Sequence, residues 1–339
     1  MSDPSPQPAK ATRTEGVASV ETVRGPVELS RLGTTLMHEH VFVLDPELLQ
    51  NYPEDWGDEE QRIADAAARL NELKSRGVDT IVDLTVIGMG RYIPRIQRVA
   101  ERTTINVIVA TGIYTYNDVP LAFHFRGPGT VLGGHELITE MFVRDIERGI
   151  GNSGVKAAIL KCATDEPGIT PGVERVLRAT AQAHRQTGAP ITTHTHAATR
   201  VGLDQQRILH QEGVDLSRVI IGHSGDTTDL RYLEELIANG SYLGLDRFGL
   251  DSLLPFEERV TTVATLCARG YAAKIVLSHD ASCFLHWIPG VQRLFPRWNY
   301  MHISNDVIPA LRKKGVTTGQ LHTMLVENPT KIFSRRDAY

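Results

Sequence analysis

The chain alternates between short apolar runs and longer segments whose apolar residues recur every three or four positions. Residues 59–76 have this helical periodicity, with Asp58 as the expected N-cap and Gly77 as the expected end of the helix. Its apolar positions include Ile63, Ala66, Leu70 and Leu73. Residues 80–86 (TIVDLTV) are almost continuously apolar, which is typical of a parallel strand buried on both faces. The pattern predicts a helix followed by a buried strand.

The same alternation continues along most of the chain. Strands are predicted at residues 34–43, 80–86, 106–112, 157–163, 190–196, 218–223, 242–248 and 274–280. Helices are predicted at residues 59–76, 92–102, 136–149, 173–187, 203–212, 229–238 and 256–269. Strict alternation implies a parallel sheet, and eight units favour an α/β fold closed into a (β/α)8 TIM barrel. An open dinucleotide-binding sheet is the alternative, but residues 88–90 (GMG) lack the third glycine of its phosphate fingerprint.

Two predicted connections are longer than the usual two to six residues of such folds. They are residues 114–135 and residues 281–302, and both are rich in aromatic side chains. Each follows the carboxyl end of a predicted strand, which is the face where barrel enzymes place their active sites. Residues 44–57, after the first strand, are expected to be irregular.

Composition narrows the functional class. The 339 residues are 41% hydrophobic and 22% charged, ordinary values for a globular protein, and residues 21–339 suit one domain. A net charge of -4 gives no basic footprint for nucleic acid, and no apolar run is long enough to cross a membrane. The three cysteines are widely separated, which favours free thiols and a cytoplasmic location. Residues 1–20 lack the apolar core of a secretory signal and are expected to form a mobile tail.

Histidine and aspartate stand where predicted strands end. His38 and His40 are two residues apart on a predicted strand, so they point to the same face. Later strands end on His194, His223 and Asp280. In a barrel these side chains converge on one rim, and imidazoles with a carboxylate are the ligands that zinc and similar ions prefer.

Lys161 lies inside an apolar predicted strand, where an uncompensated ammonium is costly. It could pair with Asp83 or Asp246. Alternatively, its neutral amine could react with carbon dioxide to form a carbamate, N6-carboxylysine. A carbamate is anionic and offers one oxygen to each of two metal ions, so it would suit the ligand set.

This pattern resembles the phosphotriesterase branch of the amidohydrolase superfamily over about residues 24–333. The matching positions are His38, His40, Lys161, His194, His223 and Asp280. The resemblance implies a distorted (β/α)8 barrel with two divalent metal ions and a carboxylated Lys161, and commonly a homodimer. It places His38, His40 and Asp280 on the more buried metal, and His194 with His223 on the more exposed one. His196 and His279 have no ligand role in that pattern.

The expected chemistry is hydrolysis of a small molecule. A hydroxide shared by two cations is a nucleophile at neutral pH, and the exposed metal polarises the substrate oxygen. Asp280, next to both metal and hydroxide, is expected to act as ligand and proton shuttle. Zinc is the expected metal, with cobalt, manganese or iron as alternatives.

Three positions indicate the substrate. Tyr114 stands where phosphotriesterases usually carry tryptophan, Arg247 where they carry histidine, and Trp287 lies in the long last loop. These features resemble the phosphotriesterase-like lactonases, which open N-acyl-homoserine lactones and hydrolyse organophosphates weakly. Tyr114 and Arg247 are expected to contact the substrate, and Phe284, Trp287 and Ile288 to line an apolar groove for the acyl chain.

Residues 51–53, 91–94 and 163–168 extend this resemblance to actinobacterial quorum-quenching lactonases and to a parathion-hydrolase-like relative. Two other functions stay open. One is organophosphate triester hydrolysis at the same centre, and the other is metal binding without turnover.

Overall fold

The computed structural model describes residues 18–334 and 337–339 of the chain, where strands alternate with helices. The strands are β1 (Ser19–Thr22), β2 (Gly25–Glu28), β3 (Thr35–Val43), β4 (Thr80–Asp83), β5 (Asn106–Gly112), β6 (Ile159–Thr164), β7 (Ile191–Thr195), β8 (Val219–Ile221), β9 (Tyr242–Leu245), β10 (Ile275–Leu277) and β11 (Ser282–Leu285). The helices are α1 (Pro46–Asn51), α2 (Glu59–Ser75), α3 (Ile93–Ala100), α4 (Leu121–His124), α5 (Leu137–Glu147), α6 (Pro171–Thr187), α7 (Val201–Gln211), α8 (Leu230–Ala238), α9 (Phe256–Ala268), α10 (Val291–Leu294), α11 (Ile308–Lys313), α12 (Thr318–His322) and α13 (Asn328–Ser334).

Strands β3 to β11 form one parallel sheet in the order β10-β9-β8-β7-β6-β5-β4-β3-β11. The residues that follow β10 bring the two ends of this sheet together. The Asp280 N–H donates to the His38 carbonyl at 3.0 Å, and the His40 N–H donates to the Ala281 carbonyl at 2.9 Å. The sheet therefore curls into the distorted (β/α)8 barrel that the sequence predicts, and the open sheet is excluded.

Alternation along the strands separates two apolar layers. Val82, Ile108, Ile220 and Val276 pack together on one face of the sheet. Their sequence neighbours Ile81, Val107, Val219 and Ile275 belong to the other cluster, which includes the apolar faces of the helices. This two-sided burial explains why the strands read as continuous apolar runs.

The start of α2 agrees with the sequence prediction, and α6 has caps that were not predicted. Asp58 accepts a hydrogen bond from the Gln61 N–H and caps α2, and Thr170 caps α6 through the Val173 N–H. Gly188 ends α6 with a φ of 69°, a left-handed conformation that glycine adopts at little cost.

Several segments differ from the prediction. Residues 46–51, expected to be irregular, form α1, because Asp45 accepts from the Leu48 N–H and Pro46 occupies the first turn. Part of the last long loop forms β11, which pairs with β3. The β1–β2 hairpin and the helices after residue 307 were not predicted.

The expected tail lies mostly outside the described residues, since residues 1–17 are not among them. Ser19 and Val20 belong to β1, so any tail ends before them. In the described ranges no helix has both the length and the apolar character needed to span a membrane. Cys162, Cys267 and Cys283 are buried free thiols.

Candidate metal centre

The six predicted ligands come together at the carboxyl ends of the barrel strands. His38 and His40 lie on β3, Lys161 on β6 and His194 on β7, while His223 and Asp280 follow β8 and β10. All six line one cavity of about 230 Å³. Parallel strands of a closed barrel share this rim, which is why residues so far apart in sequence meet here.

The residues expected on the more buried metal form the tightest group. Asp280 Oδ1 lies 3.0 Å from His40 Nε2 and 3.4 Å from His38 Nε2. One donor atom from each of His38, His40 and Asp280 lies within 4.8 Å of the others, close enough to hold one ion. The other two imidazoles are adjacent, with the ring centroids of His194 and His223 4.5 Å apart.

Lys161 lies at the base of the cavity with 1% of its surface exposed. Its Nζ is 3.1 Å from His38 Nε2 and donates to the Thr193 carbonyl at 3.3 Å. Asp246 forms hydrogen bonds with His38 and His223, and Asp83 accepts a hydrogen bond from the Thr85 hydroxyl. Neither carboxylate pairs directly with this amine. Burial lowers the pKa of Lys161 to about 8. The neutral amine, which is the form that reacts with carbon dioxide, is therefore accessible near neutral pH.

Asp246, at the end of β9, orients two ligands. Its Oδ2 accepts from His38 Nδ1 at 2.9 Å, and its Oδ1 accepts from His223 Nδ1 at 2.8 Å. Burial and the charge of Asp280 raise the pKa of Asp246. In its ionised form Asp246 can only accept, so both rings then carry the proton on Nδ1 and turn an unprotonated Nε2 towards the centre. Such outer carboxylates fix the tautomer of metal-binding histidines.

The other two imidazoles have equivalent partners. His40 Nδ1 lies 2.9 Å from the Thr85 hydroxyl, which in turn donates to Asp83 at 2.6 Å. His194 Nε2 lies 2.9 Å from Asp165 Oδ2. The sequence analysis gave no orienting role to Asp83, Asp165 or Asp246, although each one lies at or just after a strand end.

The charge states suit metal binding. Burial lowers the pKa of His38 and His223 well below the ordinary value, and lowers the pKa of His194 to about 4. These imidazoles are therefore neutral at pH 7, which is the form that coordinates a cation. Neutral imidazoles, a carboxylate and a carbamate-forming lysine fit divalent transition metals such as zinc.

Asp280 and Arg247 form the boundary between the ligands and the open cavity. Arg247 Nε donates to Asp280 Oδ2 at 3.0 Å, and its Nη1 donates to Asp226 at 3.0 Å. Burial raises the pKa of Asp280, but the interaction with the His38 ring, the hydrogen bond from His40 and the charge of Arg247 outweigh burial and hold the pKa far below the usual range. Asp280 is a carboxylate with one oxygen facing each set of partners.

Glu39 stabilises the backbone conformation at Asp280. This side chain is fully buried and accepts hydrogen bonds from the Ser278 hydroxyl, the His279 N–H, His279 Nδ1 and the Ala281 N–H at 2.7–3.0 Å. These donors flank Asp280, whose φ of 58° lies in the left-handed region that costs a non-glycine residue about 1 kcal/mol. Glu39 thus holds the strained turn in place, and His279 has the structural role expected of it.

The predicted substrate contacts are partly in the cavity. Tyr114, Arg247, Trp287 and Ile288 all line it. The Tyr114 hydroxyl donates to Asp165 at 3.0 Å, and its ring centroid lies 5.7 Å from that of Trp287. Burial and the charge of Asp165 raise the pKa of Tyr114, so it stays a neutral phenol.

Phe284 is not among the residues that line the cavity. Its ring packs edge-on against Trp56 at 5.1 Å, and the Arg62 guanidinium lies 4.5 Å from its centroid. The structure therefore places Phe284 apart from the other predicted substrate contacts, which line the cavity. The β3–β11 pairing, which the sequence did not show, places this residue beside the α2 side of the sheet.

The chain is similar to several known proteins. The phosphotriesterase family model matches residues 18–333. A phosphotriesterase homology protein of Mycobacterium tuberculosis is 66% identical over 322 residues, covering 94% of this chain and 99% of that relative. An aryldialkylphosphatase of Saccharolobus solfataricus is 40% identical over 312 residues, covering 91% and 97%.

A solved structure of the phosphotriesterase from Mycobacterium tuberculosis has the same fold. It superposes with a TM-score of 0.94 at 66% identity and covers 95% of this chain and 100% of that chain. The similarity extends over nearly the whole described chain.

Proposed function

The chain belongs to the phosphotriesterase family, and from that premise we propose that it is a metal-dependent hydrolase that opens N-acyl-homoserine lactones. The observation that carries the proposal is the cavity itself. Polar groups gather at its base, and its upper wall is apolar, including Leu250, Leu253, Leu285, Trp287 and Ile288. A lactone with an acyl tail likewise has a polar end and an apolar end. Each buried methylene of the tail would contribute about 0.8 kcal/mol to binding.

The proposed cofactor is a pair of divalent cations, with zinc as the first choice. His38, His40 and Asp280 would hold one ion, His194 and His223 the other, and Lys161, as N6-carboxylysine, would bridge them. When bound, the ions supply Lewis acidity and activate water at neutral pH. Support for this set is the convergence of the donor atoms and the neutral state of the imidazoles.

The proposed catalytic residues are Asp280, Arg247 and Tyr114. Asp280 accepts the proton of the attacking water and passes it to the leaving alkoxide. Arg247 keeps Asp280 ionised through its 3.0 Å contact. The phenol of Tyr114, fixed by Asp165, and the guanidinium of Arg247 orient the lactone oxygens at the cavity base.

Organophosphate triester hydrolysis is the second candidate, and the name of one relative favours it. That relative, 40% identical, is called an aryldialkylphosphatase. The same ligands would serve both reactions, because both attack an electrophilic centre bearing an oxygen that a metal can polarise.

A kinetic comparison separates these functions. Metal-reconstituted protein is assayed with a long-chain N-acyl-homoserine lactone and with paraoxon. The proposal predicts a higher kcat/KM for the lactone, while a strong preference for paraoxon would establish the second candidate. Hydrolysis of neither compound, despite bound metal, would leave a metal-binding protein without turnover.

We propose two further properties. The family resemblance favours a homodimer, which sedimentation of the purified protein tests. The three buried free thiols agree with a reducing, cytoplasmic location.

A further inference from the structure

Arg259, in the first turn of α9, is a buried cation outside the proposed catalytic set. Only 2% of its surface is exposed. Its guanidinium donates to the carbonyls of Leu254 at 3.0 Å and Leu250 at 3.2 Å. It also donates to the Gly225 carbonyl at 2.8 Å and to Asp226 at 2.6 Å. A planar group with several fixed donors suits this arrangement, whereas an ammonium does not.

The two leucine carbonyls belong to the segment between β9 and α9, residues 246–255, which we call the β9–α9 segment. This segment forms part of the cavity wall through the side chains of Leu250 and Leu253. Leu253 is 52% exposed, so neighbouring side chains cover only about half of it. Arg259 bonds the backbone at Leu250 and at Leu254, the residue after Leu253.

The opposite side of the β9–α9 segment lies against the last long loop. Gly249 has a φ of +100°, and a side chain there would collide with the Arg297 carbonyl. Asp251 pairs with the exposed Arg297 at 3.1 Å, a contact that contributes little in water. The buried guanidinium therefore attaches residues 250–254 more strongly than this exposed ion pair does.

Asp226 connects Arg259 to the catalytic residues. Its Oδ1 accepts from Arg259, and its Oδ2 accepts from Arg247, which in turn contacts Asp280. Removal of the Arg259 guanidinium would leave the Leu254 and Gly225 carbonyls without this donor, and the Leu250 carbonyl with only the Leu253 N–H, but would keep the Arg247–Asp280 contact.

From these contacts we propose that Arg259 is a specificity-positioning residue, which fixes the leucine wall of the cavity and so sets the preference for acyl-chain length. The inference rests on the proposed lactonase function, since it concerns the acyl groove of the same site. Arg259 does not touch substrate. It acts through the backbone of the β9–α9 segment.

The test compares Arg259→Lys with the unchanged protein on a series of homoserine lactones with short to long acyl chains and on an unsubstituted lactone. Lysine keeps the charge beside Asp226 but cannot bond both leucine carbonyls. We expect kcat/KM for the longest acyl chain to fall about tenfold, which is the effect expected for loss of a hydrogen bond from a charged group. The fall should come from a higher KM. Activity on the unsubstituted lactone and metal content stay within about twofold.

Two matched variants sharpen the result. Arg269→Lys changes an exposed arginine just after the same helix, which pairs with Glu234, and leaves all substrates unaffected. Asp226→Asn keeps the leucine contacts but weakens the hold on Arg247, so it lowers kcat equally at every chain length. Equal losses at all chain lengths in Arg259→Lys, or no loss, overturn the proposal.

Hydrogen exchange on the unchanged protein decides the matter if Arg259→Lys does not fold. We expect the backbone amides of residues 250–254 to be protected relative to an exposed loop such as residues 128–134. Exchange of these amides as fast as in that loop would contradict the proposal that Arg259 holds the segment. Absence of lactone turnover by the unchanged protein would contradict the proposed function, while the exchange measurement would still decide the role of Arg259.

Discussion

At the residue scale, the site depends on the second contact of each ligand as much as on the ligand itself. The histidines and Asp280 could be predicted because strand spacing places them on one rim. Their orienting partners could not, because nothing in the sequence links Asp246 to His38, 208 positions away, or Asp165 to His194. Such pairings are decided by the barrel register, which appears only in three dimensions.

Replacing Lys161 with alanine tests the bridging role. Lys161→Ala should lose most of its bound metal and at least about a hundredfold in kcat, because no anion then joins the two sites. Added short carboxylic acids should restore part of both. Metal content is measured by elemental analysis, with the exposed Lys313→Ala as the control. Full occupancy without any additive would show that the lysine is not a bridging ligand.

Glu39→Gln tests the support of Asp280. The amide keeps the volume of the side chain but presents a donor to groups that themselves donate. With metal content retained, we expect kcat to fall roughly tenfold to a hundredfold and KM to change little, since charged hydrogen bonds contribute about 1.5–3 kcal/mol. The exposed Glu28→Gln serves as the control. A change confined to thermal stability would reduce Glu39 to a packing role.

At the element scale, periodicity located the strands and the helices between them well. Predicted helix 256–269 corresponds to α9 at Phe256–Ala268, and predicted strand 106–112 to β5 at Asn106–Gly112. The last long loop was less predictable, since β11 is short and pairs with the distant β3. The position of Phe284 beside Trp56, apart from the cavity, follows from that missed strand.

Trp287, after β11, tests the function of this loop. It is 45% exposed, and its ring lies beside Tyr114 at the cavity mouth. Trp287→Ala should reduce kcat/KM more for long acyl chains than for short ones, because in the proposed function the lost surface would contact the acyl chain and not the ring ester. The assay uses the same lactone series, with Leu294→Ala in the same loop as the control. Equal losses across chain lengths would make Trp287 structural.

At the scale of the whole molecule, the site lies where the barrel closes. Asp280 and Ala281 pair with His38 and His40, so the proposed ions would join the first and last barrel strands. The sequence predicted the closed barrel from the number of βα units, but it could not show that ligands and closure share the same residues.

Metal removal should therefore destabilise the whole barrel. Ions that bind only the folded protein raise its free energy of unfolding by about 3–4 kcal/mol when their concentration exceeds Kd a hundredfold to a thousandfold. Chelation should lower Tm by at least about 5 °C, and added zinc should restore it. Differential scanning calorimetry measures this shift, which should be much smaller in Lys161→Ala. An unchanged Tm after complete metal removal would show that the ions do not stabilise the fold.

We propose that six side chains at one rim hold a pair of cations bridged by a modified Lys161. Anomalous diffraction from crystals of zinc-reconstituted protein tests this metal centre. We expect two zinc peaks, one beside His38, His40 and Asp280 and one beside His194 and His223, with carbamate density on Lys161 between them. No peak at this rim, or a bare Lys161 amine beside fully occupied metal sites, would contradict it.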